Sequence, residues 1–262
     1  MYLKTLENAY SLAGKNAIVT GGAKGIGLGI TRALANQGAN VAVFARDEKT
    51  AGTVIKELEA EFGSVRFSFY KADISSTESC RNAVDAYIRD NGRIDILVNN
   101  AGIGPNGRFV DMDEELTDWF NCFNVDLHGA ARMCYNVLKY MRKQKSGHII
   151  NITSNAGEIV NYPFLTAYAS SKAAFNHFTK CLAAEVANEG IRVNAIAPGF
   201  TFSNFAKDIP EEAYKALCEQ IPIGRFAQNY EIGLLAAYLA GDASDIITGA
   251  VITADGGYVL QH

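Results

Sequence analysis

Short apolar runs alternate with stretches of helical period from one end of this 262-residue chain to the other. Asn16–Thr20 is the first such run, and Val41–Ala45, Val65–Ala72, Ile94–Val98, His148–Ile152, Arg192–Ile196 and Ala250–Thr253 follow it. Runs this short and this rich in Val and Ile predict buried strands. The segments between them predict helices at 25–37, 48–62, 77–90, 114–140 and 166–188, with further helices ending at Leu239. Gly38-Ala39-Asn40 closes the first helix. Strands that are apolar along their whole length and separated by helices indicate a parallel sheet covered on both faces. No repeat or low-complexity linker interrupts the series. The expected fold is one α/β domain over residues 1–262, a doubly wound parallel sheet with helices on both faces.

Composition agrees with that picture and excludes some functions. Hydrophobic residues make up 48% and charged residues 20%, ordinary values for a soluble globular protein. A net charge of −4 with a pI near 5.6 supplies no basic surface for nucleic acid. The longest apolar stretches, such as Ile232–Ala240, fall far short of the roughly 20 residues a membrane-spanning helix needs. Polar residues break the N-terminal run Met1–Asn8 early, so no signal peptide and no membrane association are expected, and a cytoplasmic location is. Cys80, Cys122, Cys134, Cys181 and Cys218 are odd in number and scattered, which reads as reduced thiols. The four histidines show no metal-ligand spacing, and no metal site is expected.

Gly21, Gly25 and Gly27 follow the first strand directly and open the first helix, in Thr20-Gly21-Gly22-Ala23-Lys24-Gly25-Ile26-Gly27. Glycine there lets the backbone turn tightly against a pyrophosphate, while the helix N-terminus offers N–H donors and a partial positive charge. The spacing is G-x-x-x-G-x-G rather than the G-x-G-x-x-G dinucleotide fingerprint. It is not a P-loop either, since Lys24 precedes Gly25 rather than Ser or Thr. At the end of the second strand an acidic residue would bind ribose hydroxyls, whereas an arginine accommodates a 2′-phosphate. Arg46 stands there and Lys24 reaches toward the same phosphate, so the pair predicts NADP(H). Asp47 and Glu48 follow at once and compete for that role. Further along, Tyr168 and Lys172 lie four apart, which on a helix puts phenol and ammonium on one face. A cation so placed stabilises an ionised phenol and makes Tyr168 a usable proton donor and acceptor.

Taken in order, Thr20-Gly21…Gly25-Ile26-Gly27, Asp73-Ile74, Asn99-Asn100-Ala101-Gly102, Asn124, Ser154, Tyr168…Lys172 and Pro198-Gly199 resemble the short-chain dehydrogenase/reductase family. The resemblance covers Lys15 to Gly257 and is to the single-domain, Rossmann-like branch. It implies that Asp73 and Ile74 flank the adenine and that Asn100 lies near the cofactor ribose. It likewise implies that Thr201 and Ser203 bind the nicotinamide carboxamide; the family usually has Thr at the second of these positions. The interval from Ser154 to Tyr168 looks one residue longer than the commonest family spacing, which would alter a pocket wall. Asn124, by resemblance, supports a water that connects Lys172 to solvent. The groups themselves supply the rest. Ser154, at a strand end, donates to a carbonyl oxygen as hydride arrives, and Tyr168 gives that oxygen its proton or removes it. Lys172 holds the nicotinamide ribose.

The expected substrate is a small-molecule ketone or secondary alcohol. Its pocket is expected at Ile103–Phe109, at Asn155–Phe164 and under a lid from Phe200 to about Ile221. Phe200, Phe202, Phe205 and Tyr214 on the lid, with Tyr162 and Phe164 beside it, suit a hydrophobic substrate such as a hydroxysteroid or bile acid. A polyol or sugar would call for more polar walls. A 3-oxoacyl thioester on an acidic carrier protein would call for basic docking residues, for which Arg132, Arg142, Lys143 and Lys145 are candidates. A non-catalytic NADP(H)-sensing regulator is the rival from another class, and four filled catalytic positions argue against it. The resemblance further implies a homotetramer, with Ala173, Ala174, Phe178, Leu182 and Ala183 at spacings that suit either a subunit interface or the sheet face.

Overall fold

In the computed structural model, residues 9–104, 107–159, 164–202 and 209–261 are described. Seven strands form one parallel sheet in the order β3-β2-β1-β4-β5-β6-β7. They are β1 (Asn16–Thr20), β2 (Asn40–Ala45), β3 (Phe67–Lys71), β4 (Ile96–Asn99), β5 (Gly147–Ile152), β6 (Ile191–Pro198) and β7 (Val251–Ala254). Among the described residues the α-helices are α1 (Gly25–Asn36), α2 (Glu48–Glu61), α3 (Thr77–Asn91), α4 (Thr117–Phe123), α5 (Ala130–Gln144), α6 (Thr166–Val186), α7 (Glu211–Glu219) and α8 (Asn229–Leu239).

Every residue of β1 and β5 is buried, which explains why these strands read as continuous apolar runs. Successive side chains go to opposite faces. Ala17 and Val19 join a core with Ile30 and Leu34 of α1 and Ile232 and Ala236 of α8. Ile18 joins a second core with Val84 of α3, Met133 and Val137 of α5 and Leu182 of α6. On the first face α1 and α8 touch backbone to backbone. A β-carbon on Gly29 would lie 2.3 Å from the Asn229 carbonyl oxygen, and one on Gly233 would lie 2.4 Å from that of Gly29.

One difference from the sequence pattern matters for function. The helix expected at 114–140 is broken: α4 and α5 are joined by a π-helical turn, Asn124–Gly129. Gly129 sits against Ile74, where a β-carbon would meet the isoleucine δ-carbon at 2.8 Å, so the turn rests on the segment after β3. The sheet order reverses direction between β1 and β4, and in such folds the ligand crevice lies outside the carboxyl ends of the strands there. No described helix is long and apolar enough to cross a membrane, and the described residues hold no cluster of metal-ligating side chains.

Candidate active site

The turn after β1 and the end of β4 are bonded across this crevice. Thr20 Oγ1 accepts from the backbone N–H groups of Asn100 (2.9 Å) and Ala101 (3.0 Å), and Asn100 Nδ2 donates to the Thr20 carbonyl at 2.9 Å. Gly21 and Gly25 adopt the left-handed backbone, with φ of +66° and +53°. A β-carbon on Gly27 would sit 2.3 Å from the Gly21 carbonyl oxygen, so only glycine lets α1 start this close to the turn. No side chain caps α1, which leaves its first N–H groups for an anionic ligand. Ile26 anchors the first turn in the core.

Lys24 and Arg46 are exposed at the rim, and neither side chain makes a hydrogen bond or ion pair with the described residues. Asp47, their competitor for the nucleotide, is occupied: it caps α2 by accepting from the Thr50 N–H. That leaves two uncommitted cations at the end of β2, with Asp47 engaged as a cap and Glu48 exposed in the first turn of α2, and the two cations fit a cofactor with an additional phosphate. Asp73 and Ile74 follow β3 beside this site. Ser75 donates to the Asp73 carboxylate through N–H and hydroxyl, and these bonds, with the field of Arg46, hold Asp73 below the usual carboxylate range. Ile74 is buried under Gly129. At the far side Gly199, after Pro198, packs so closely on Asp255 that a β-carbon would lie 2.5 Å from the aspartate's own. Thr201 Oγ1 donates to the Gly199 carbonyl at 3.0 Å. Ser203 lies outside the described residues, as do Tyr162 and Phe205.

Where β5 ends against α6, Lys172 stands beside the Tyr168 ring and Ser154 heads the turn that packs on the Lys172 backbone. Ser154 is buried at the head of a short 3-10 turn, its Oγ accepting from the Ala156 N–H at 3.1 Å. That turn lies directly on α6, since a β-carbon on Gly157 would come within 2.7 Å of the Lys172 backbone. Lys172 is 4% exposed; its Nζ donates to the Ile152 carbonyl at 3.2 Å and stands 5.4 Å from the centre of the Tyr168 ring. The third neighbour of Lys172 was not expected: Asp126 Oδ2, at 3.3 Å. Burial works against the ammonium, but Asp126 and Tyr168 outweigh it and Lys172 is held above the ordinary lysine value. Gly102 roofs the pair: a β-carbon there would lie 3.3 Å from both Asp126 oxygens and 3.4 Å from Lys172 Nζ.

Asn124 is not at this centre. Its Oδ1 accepts from Arg132 Nη2 at 2.8 Å and its carbonyl from Arg132 Nη1 at 3.1 Å. Two residues along a helical turn rotate a side chain by roughly 200°, so Asn124 and Asp126 point to different sides. The expectation that Asn124 serves Lys172 is corrected accordingly: the side chain beside the ammonium is Asp126. A sequence signal for it exists, because 122, 126, 130, 133, 137 and 141 form the buried stripe of this segment and Asp126 is the charged member.

The substrate walls also depart from expectation. Phe200, Phe202 and Tyr214 pack with Ile221, Phe226 and Tyr258 in a core of their own, Phe200 stacked on Phe226 at 5.1 Å and Tyr214 edge-on to it at 4.8 Å. Asn155 is buried and donates to Asp255 at 3.2 Å, so it backs the site rather than lining it. Ile103 and Phe164 remain exposed, and Gly104 lies against the Tyr168 ring. On α6, Leu182, Ala183 and Phe178 face the sheet, while Ala173 is exposed.

With this geometry in place, comparison with known proteins agrees in kind. Residues 21–259 match a family model described as enoyl-(acyl carrier protein) reductase. The chain is 38% identical over 249 residues to the 3-oxoacyl-[acyl-carrier-protein] reductase FabG of Thermotoga maritima, covering 95% of this chain and 99% of that one. It is 40% identical over 261 residues to the oxidoreductase UcpA of Salmonella typhimurium, covering 96% and 97%. Among solved structures, the Pseudomonas aeruginosa RhlG/NADP active-site complex superposes with a TM-score of 0.91 at 34% identity, covering 96% of this chain and 98% of that one. The chain belongs to the short-chain dehydrogenase/reductase family of oxidoreductases.

Proposed function

We propose that this protein uses NADP(H) to interconvert a ketone and a secondary alcohol, with a 3-oxoacyl thioester as the substrate class. The observation that carries the chemistry is the buried Lys172 ammonium, fixed by Ile152 and Asp126 beside the Tyr168 ring. When bound, the nicotinamide supplies the hydride that reduces the carbonyl carbon. Ser154 donates a hydrogen bond to the carbonyl oxygen, and the Tyr168 hydroxyl transfers its proton to that oxygen as negative charge develops there. In the reverse direction the Tyr168 oxygen takes the proton from the alcohol. Lys172 holds the ribose and stabilises the phenolate left behind. Lys24 and Arg46 take the 2′-phosphate, the open N-terminus of α1 takes the pyrophosphate, Asp73 and Ile74 flank the adenine, Asn100 lies near the cofactor ribose, and Thr201 reaches the carboxamide.

The thioester reading is supported by the name of the Thermotoga relative. The hydroxysteroid expectation has less behind it, because three of the aromatics that suggested it, Phe200, Phe202 and Tyr214, pack with Phe226 and Tyr258. Of the candidate basic residues for carrier-protein docking, Lys143 is exposed without a partner among the described residues, and the other three are already engaged. Arg132 is tied to Asn124, and Arg142 and Lys145 are paired with Glu189 at the end of the sheet opposite the crevice. A thioester on a small carrier such as coenzyme A or N-acetylcysteamine is therefore the form to offer first. Oxidation of NADPH, followed by absorbance, should be fastest with acetoacetyl thioesters. Faster turnover of a 2-enoyl thioester, a sugar acid or a steroid ketone would overturn the assignment. The assembly belongs to the same reading: exposed Phe120 and Tyr135 on α4 and α5 leave apolar surface for neighbouring subunits of a homotetramer. Light scattering should then give the mass of four 28.3 kDa chains, and a monomer would refute it.

A further inference from the structure

Asp126 is among the most deeply buried acids of the molecule, 1% exposed, and both its oxygens are directed at the active site. Oδ1 accepts from the Ile103 N–H at 2.8 Å, on the loop that leads to the expected substrate wall. Oδ2 has no hydrogen-bond donor in line with it and instead faces the Lys172 ammonium at 3.3 Å. A carboxylate in this place has a consequence an amide would not. The positive charge of Lys172 acts on the Tyr168 hydroxyl, and a carboxylate 3.3 Å from the same ammonium offsets part of that field. The other titratable group facing the pair is Cys122 of α4. Burial first, then Asp126, pushes its thiol up to about 11, so it is neutral through the working range; Asp118 of α4 acts on it from farther out. No other charged side chain of β4, β5 or α6 makes an ion pair with either partner among the described residues.

We propose that Asp126 is a positioning residue that sets the pH range of the enzyme: its carboxylate locks Lys172 as an ammonium and weakens the pull of that ammonium on the Tyr168 proton. The proposal rests on the ketone–alcohol reading of the same site. Asp126→Asn removes the charge and keeps an acceptor for Ile103. In alcohol oxidation the acid limb of the kcat/KM profile should then move to lower pH by about one unit, a roughly tenfold gain below the wild-type limb. An alkaline limb should enter at the same time, because burial of Lys172 is then opposed without Asp126, its largest counterweight, and its proton leaves earlier. Asp126→Glu, which restores the charge, should return both limbs toward wild type. A purely structural role would lower melting temperature or kcat and leave the limbs in place, and unmoved limbs in folded Asp126→Asn would overturn the proposal.

The pair can also be read in the unsubstituted protein by lysine 13Cε NMR during a pH titration. Lys172 should lose its proton after the exposed lysines, and loss before them would overturn the proposal even if no variant folds. Absence of turnover with every substrate offered would instead sink the functional reading, while the lysine titration would still report on the pair.

Discussion

Replacing Arg46 with alanine should convert an NADPH-preferring protein into one that barely distinguishes the two nicotinamide cofactors. Arg46 is exposed, has no partner among the described residues, and shares its rim position with Lys24. Asp47 is bound to the head of α2 and cannot turn to receive ribose hydroxyls without uncapping that helix. A charge-assisted hydrogen bond to phosphate contributes about 1.5–3 kcal/mol, and the exposure of this site argues for the lower half. At about 1.4 kcal/mol per decade, Arg46→Ala should weaken NADPH binding roughly 10- to 50-fold and leave NADH within about twofold. Lys24→Ala should act in the same direction by a smaller amount. Cofactor fluorescence titrations at two salt concentrations read both quantities without a substrate. The wild-type preference should also shrink as salt rises, since both cations lie at the surface. Equal losses for NADPH and NADH would show that Arg46 serves the shared part of the cofactor, and its assignment to the 2′-phosphate would be wrong.

Other outcomes follow from packing and charge. Gly29→Ala drives a β-carbon into the backbone of Asn229, which neither helix can relieve cheaply, and should cost about 1–3 kcal/mol. Gly52→Ala, with open space around it on α2, should be neutral or stabilising by about 0.5–1 kcal/mol. Thermal melts compare the two directly, and a harmless Gly29→Ala would refute the close α1–α8 contact. Glu231 receives the Gln228 N–H at 2.7 Å and pairs with Arg225, which together depress its carboxyl to about 2. Its side chain is 32% exposed, so Glu231→Ala should cost only about 1 kcal/mol, in line with a lost cap. Because the folded value lies below the unfolded one, that contribution is complete above about 4.5 and fades as pH falls toward about 2. A melting difference between wild type and variant that stays constant from pH 7 to about 3 would contradict this.

The central strands were legible because β1 and β5 are buried along their whole length, so burial wrote itself as unbroken apolar runs, whereas the edge strands β3 and β7 are only partly buried. The cofactor turn was legible for a related reason: Gly21, Gly25 and Gly27 are demanded by backbone angle and close approach, which leave glycine as a visible trace. The break between α4 and α5 was not. A π-helical turn adds a residue without disturbing the apolar period enough to show, and the resemblance alone points to Asn124, whereas the side chain beside Lys172 is that of Asp126. Lid aromatics misled for another reason. Composition reports that Phe200, Phe202 and Tyr214 are near the pocket, but only coordinates report that they pack against Phe226 and Tyr258. Arg142 and Lys145 likewise read as free charges until Glu189 is seen between them.

Proton exchange with the substrate oxygen falls to the Tyr168 hydroxyl, and the proposed chemistry stands or falls with that group. Tyr168→Phe removes its oxygen and leaves Lys172, Asp126 and the cofactor turn in place. NADPH affinity should stay within about threefold of wild type, while turnover of the best thioester should fall by about 10²- to 10⁴-fold. Turnover that survives the substitution at more than about a tenth of the wild-type rate would contradict a proton-transfer role for Tyr168.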